Sequence, residues 1–104
     1  MRTEEIAMGL IVGAGTARSD AREAIRLARS GNLTAARELL QSASESLLST
    51  HHIQTDLIQE EATGNHIELN LLLIHAQDHL MNAITMKEIA EEFIELYASQ
   101  LENK

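Results

Sequence analysis

The chain has 104 residues with no proline, cysteine or tryptophan, and carries a net charge of −8 from eight Lys/Arg against sixteen Asp/Glu. That length suits one domain, residues 1–104. The missing cysteines exclude disulfides, Fe–S clusters, thiolate zinc sites and a cysteine nucleophile. The acidic balance, with no basic stripe interleaved with aromatics, excludes a nucleic-acid partner.

Hydrophobic residues make up 44% of the chain, too many for disorder. The longest apolar run, 6–17, is too short to span a bilayer. It follows Glu4 and Glu5 rather than a basic region, so it does not read as a signal peptide, and the expected location is the cytoplasm. Gly31 and Gly64 cut the chain into three long segments, whereas strand-rich folds need a turn every 8–12 residues or so.

The first segment predicts a helix over about 3–30, with Thr3 as its N-cap. Ile6, Leu10, Ala14, Ala17, Ala21, Ala24, Ile25 and Ala28 recur on one face, and Arg18, Arg22, Arg26 and Arg29 on another. Gly31 suits the residue after a helix end, and Asn32 can cap the next helix. Gly9, Gly13 and Gly15 each cost about 1 kcal/mol inside a helix, so they are expected where another subunit approaches closely.

The second helix is predicted over about 33–62, with the stripe Ala36, Leu40, Ala43, Leu47, Thr50/His51, Gln54 and Ile58. The third is predicted over about 68–101, with Leu69, Leu73, Ala76, Leu80, Ala83, Lys87, Ala90, Ile94, Tyr97 and Leu101 at alternating fours and threes. Helices of this length joined by short connections give an all-α, antiparallel up-down-up three-helix bundle. A second stripe on the third helix, Leu71, Ile74, Asp78, Met81 and Thr85, is left over. Such a surplus should be buried against another copy.

Five histidines stand out. His51 and His52 lie in the polar half of the second helix, and His66 in the second connection. His75 and His79 share a helix face at spacing i, i+4, and three chemistries could use them. One is zinc binding with His51 as a third ligand, although Ala76 stands where a metallopeptidase needs glutamate. Another is general acid–base catalysis, although no Ser/His/Asp pattern or phosphate loop accompanies the pair. The third is covalent catalysis by an imidazole nitrogen, which attacks well and can hand on a phosphoryl group. Two satisfied interface histidines would look the same. Asp78, inside the apolar stripe, calls either for an arginine of the first helix or for a divalent cation shared between copies on an oligomer axis.

The string His75-Ala76-Gln77-Asp78-His79-Leu80-Met81, after Leu71-Leu72-Leu73-Ile74, closely resembles the phosphorylation motif of the lactose/cellobiose (chitobiose) type enzyme IIA of the bacterial sugar phosphotransferase system. Met8-Gly9-Leu10-Ile11, Gly15-Thr16-Ala17-Arg18-Ser19, His51-His52-Ile53-Gln54-Thr55 and Ile94-Glu95-Leu96-Tyr97 extend the resemblance over essentially the whole chain. The resemblance implies that His75 accepts a phosphoryl group on Nε2 from phospho-HPr. It would donate that group to a cysteine of the cognate IIB component during uptake of cellobiose, chitobiose or lactose, with the membrane component IIC involved only indirectly. It implies a supporting role for His79 and a homotrimer in which three copies of Asp78 surround one divalent cation, expected to be magnesium. No basic residue lies within the motif, so Gln54, Gln77 and His79 are the expected donors to the phosphoryl oxygens. His52 stands at a variable position. The chain starts at the first helix and ends in Glu102-Asn103-Lys104, with no basic tail. A metal-binding helical oligomer or adaptor using His75, His79 and His51 is the alternative.

Overall fold

Three α-helices, α1 (Arg2–Arg29), α2 (Leu33–Ala62) and α3 (Leu71–Glu102), make up the computed structural model, which describes residues 2–102. The termini of the helices follow from local chemistry. Glu4 and Glu5 in the first turn of α1, and Arg26 and Arg29 in its last, complement the helix dipole. The helix is already formed at Arg2, so Thr3 sits in the first turn instead of capping it. At the other end Gly31 adopts φ +91°. Its N–H bonds Ala28 O at 3.0 Å, and the Asn32 N–H bonds Leu27 O at 2.9 Å. This is the paired closure that a left-handed residue after a helix provides. Asn32 Oδ1 then accepts the Ala35 N–H at 3.3 Å and starts α2.

Gly64, with φ +96°, closes α2 in the same way, its N–H bonding Glu61 O and that of Asn65 bonding Glu60 O. The sequence periodicity places the start of α3 near residue 68, but the helix begins at Leu71. Asn70 is the reason, because its Oδ1 accepts the Leu73 N–H at 2.8 Å. Residues 63–70 therefore form a connection, and the Ile67 N–H is held by Glu61 Oε1 at 3.4 Å. The final residues, Asn103 and Lys104, lie outside the described residues.

The core is built on alanine. Ala7, Ala14, Ala17, Ala21, Ala24 and Ala28 are all buried on α1, together with Leu10. Small side chains let the axes approach closely, and α1 packs along both other helices while α2 and α3 meet more sparsely. The result is an antiparallel up-down-up three-helix bundle measuring 57 × 21 × 18 Å, with no strand among the described residues. Toward the lower half of α2 the buried face passes through Thr50 and Gln54 to Leu57, leaving Ile58 60% exposed. A strict four-residue step to Ile58 overshoots, since a straight helix keeps its face at 3.6 residues per turn. For the same reason α3 ends its buried face on Ala98, with Leu101 exposed. Lys87 is half-buried and paired with Glu91 at 2.8 Å.

Gly13 lies against Thr50 of α2, where a Cβ would overlap the threonine hydroxyl. Gly9 and Gly15 have nothing within 4 Å of such a Cβ. The close approach at Gly13 is thus within one chain, which corrects the intersubunit reading for that glycine, while Gly9 and Gly15 face open space in the single chain. The outer stripe of α3 is uncovered, with Leu71 83% exposed and Ile74, Asp78, Met81 and Thr85 all exposed. Among the described residues no helix is long and apolar enough to cross a membrane.

Candidate functional site

His75 and His79 stand one turn apart on α3, and their Nε2 atoms lie 3.1 Å from one another. The ring centroids are 4.5 Å apart and the planes meet at 84°, an edge-on arrangement. His75 is exposed and His79 half-buried. A contact of this length between two imidazole nitrogens needs one N–H and one lone pair, so two uncharged rings must hold opposite tautomers. With His79 donating from Nε2, His75 carries its proton on Nδ1 and presents the Nε2 lone pair. That is the form in which a histidine nitrogen acts as a nucleophile.

Gln54 and Gln77 were expected beside these rings, and within one chain they are elsewhere. Gln54 on α2 is only 7% exposed and donates from Nε2 to Gln77 Oε1 at 2.5 Å, with Met81 Sδ at 3.7 Å. Gln77 is two residues, about 200° of helix rotation, from His75. It lines an apolar groove of about 350 Å³ with Leu57, Ile58, Ile67, Leu73 and Ile74. The two amides tie α2 to α3 on the side away from the histidine pair.

Asp78 makes no ion pair among the described residues, so no arginine of α1 neutralises it. One carboxylate cannot hold a cation, and no group of three potential metal-ligating side chains occurs among the described residues. The proposed trio of His75, His79 and His51 is not assembled. His51 lines a separate groove with Leu47, Leu48, Met81 and Lys87. His66 is exposed, its Nδ1 3.4 Å from Glu61 Oε2, and His52 is exposed on α2.

Sequence reasoning missed a basic wall beside the site. Gly15, Arg18, Ser19, Arg22 and Arg26 of α1 face His79 across a groove of about 190 Å³. The arginine spacing was visible, but only packing shows that this edge of α1 faces the histidine pair.

Residues 5–98 match the family described as PTS system, lactose/cellobiose-specific IIA subunit. The chain belongs to the lactose/cellobiose IIA family. It is therefore a phosphotransferase-system component, and the paired histidines of α3 lie within the matched region. The lichenan-specific phosphotransferase enzyme IIA component of Bacillus subtilis is 50% identical over 101 residues, covering 97% of this chain and 92% of its own. Among solved structures, the cellobiose-specific enzyme IIA of Bacillus anthracis superposes with a TM-score of 0.93. It is 51% identical and covers 100% of this chain and 94% of its own. The chitobiose IIA of Escherichia coli, solved in complex with HPr, superposes with a TM-score of 0.82. It is 37% identical over 94% of this chain and 95% of its own. Such similarity over nearly full lengths extends the IIA fold to the whole bundle, including the helix that carries His75 and His79.

Proposed function

We propose that His75 is the phosphorylated residue of a cytoplasmic IIA phosphocarrier, loaded at Nε2 by phospho-HPr and unloaded onto a cysteine of its IIB partner. The observation that carries this is the exposed His75, whose Nε2 is held 3.1 Å from His79 Nε2. The lone pair of His75 Nε2 forms the new N–P bond as the donor's N–P bond breaks, its electron pair returning to the donor nitrogen. As the phosphoryl group arrives, His79 turns its N–H from His75 to a phosphoryl oxygen, which frees the Nε2 lone pair and keeps a donor in place. Delivery to IIB reverses the geometry, with a thiolate as the attacking group. Much of the protein's contribution is positioning. The sugar is a disaccharide such as cellobiose, chitobiose or lactose, each named for a relative of this chain, and is bound elsewhere, by the membrane component.

The uncovered stripe of α3 supports assembly through that helix, in this reading as the homotrimer that the family resemblance implies. Three copies would bring three Asp78 carboxylates to one axis, where hard oxygen donors suit a divalent cation, magnesium in this reading. The bound ion would offset the mutual repulsion of the carboxylates.

The test is incubation with phosphoenolpyruvate, enzyme I and HPr, followed by intact mass measurement. One acid-labile phosphate per chain is expected, and none on His75→Ala. A His75→Ala protein that still takes up phosphate from phospho-HPr overturns the assignment.

A further inference from the structure

Four of the eight basic residues of this acidic chain, Arg18, Arg22, Arg26 and Arg29, lie on one edge of α1. Three of them line the groove whose opposite wall is His79. Arg26 is engaged by Glu23 at 3.1 Å. Arg18 and Arg22 make no ion pair among the described residues, and both are exposed. Like charges at i, i+4 repel one another, so this pair gains from an anion placed between them. Gly15 keeps the mouth of the groove open, with nothing within 4 Å of where its Cβ would be.

We propose that this groove is an oxyanion subsite, in which Arg18 and Arg22 bind the oxygens of a phosphate-class anion beside His79. Its resident is the phosphoryl group on its way to or from His75, a part of the inference that rests on His75 being the phosphorylated residue. The groove reaches His79, and His79 Nε2 touches His75 Nε2, so a group added at that nitrogen takes the place of the imidazole contact one residue from the arginine wall. A phosphoryl group in transfer carries its charge on three equatorial oxygens, and fixed cations there lower the barrier without making or breaking a bond. Guanidinium groups match such oxygens in a forked geometry that an ammonium lacks. The motif itself holds no basic residue, and the arginines of α1 supply the missing positive charge from across the helix interface.

Two measurements on the full chain test this. In the first, inorganic phosphate is titrated into the unphosphorylated protein while the imidazole resonances of His79 and His75 are followed by NMR. A saturable shift of His79 that is lost in Arg18→Gln/Arg22→Gln is expected, and this arm stands whether or not His75 is ever phosphorylated. The absence of any shift, or an equal non-saturating drift in both proteins, overturns the subsite. In the second, transfer from phospho-HPr is timed. The double variant should lose roughly 10- to 100-fold in the rate at saturating phospho-HPr, with the half-saturation point nearly unchanged. Arg22→Lys should restore part of the loss. A raised half-saturation point at an unchanged maximal rate would mean that the arginines dock an acidic protein surface, and unchanged kinetics would mean that they are solvated only. Either result overturns the role in transfer. Failure to label the wild type at His75 would instead remove the phosphocarrier reading and leave the phosphate titration to decide the groove.

Discussion

Gly13 of α1 and Thr50 of α2 share a space that holds one hydroxyl and no additional methyl. A Cβ at Gly13 would overlap Thr50 Oγ1 and lie 3.3 Å from its Cγ2, while that hydroxyl already donates to Ser46 O at 2.8 Å. Gly13→Ala gains about 1 kcal/mol in helix propensity but incurs an overpacking cost of roughly 1–3 kcal/mol. The net effect should be destabilising. Gly9→Ala and Gly15→Ala meet open space and should stabilise by up to about 1 kcal/mol. Thermal unfolding of the three variants at one matched protein concentration checks the contrast.

The Gln54–Gln77 bond predicts an asymmetry. Gln54 is buried and Gln77 only half-buried, so removing Gln77 strands the deeper amide. Gln77→Leu should cost about 1–3 kcal/mol, the penalty for an unpaired buried amide, whereas the double change Gln54→Leu/Gln77→Leu should cost less. Phosphate acceptance by His75 should stay within a few-fold of wild type in both. Denaturant unfolding beside a labelling time course measures the two effects separately.

His79 is expected to donate to the phosphoryl group carried by His75. His79→Ala removes the N–H that would turn to the phosphoryl oxygens, and should slow loading by roughly 10- to 100-fold with little change in helicity. His79→Gln keeps an N–H at similar reach and should recover part of the rate. Equal losses in both variants would point to ring packing instead of hydrogen bonding.

Assembly should depend on the outer stripe of α3 without the bundle depending on it. Ile74 is exposed in the single chain, so Ile74→Glu should leave the three helices folded but shift the protein to monomer by sedimentation analysis. If Asp78 repels its copies unless a cation lies among them, chelation should lower the stability of the wild-type assembly. It should have little effect on Asp78→Asn, and metal analysis should find about one ion per three wild-type chains.

Much of the bundle was legible because its signals are local. The alanines of α1 show as a stripe at helical spacing, and the Gly31-Asn32 reversal and Gly64 act through neighbours within about one turn, so the sequence displays them directly. Errors arose where the deciding contact lay on another helix or where one cap competed with periodicity. Leu69 continued the stripe of α3, yet Asn70 supplied the cap that starts the helix after it. Ile58 fitted a repeat of four, yet Leu57 lies on the face that meets the core. The histidine pair was visible as an i, i+4 spacing. The arginine wall was not, because only the packing of α1 against α3 sets Arg18 and Arg22 opposite His79, and only the approach of α2 to α3 pairs Gln54 with Gln77.

The phosphoryl group is expected to reside on His75 Nε2. Imidazole 1H–15N correlation spectra recorded before and after transfer from phospho-HPr test it most directly. The His75 Nε2 resonance should move to that of a phosphorylated nitrogen, while His75 Nδ1 keeps its proton and the other histidines remain unmodified. Phosphate on His75 Nδ1, or on His79, His51, His52 or His66, would contradict it.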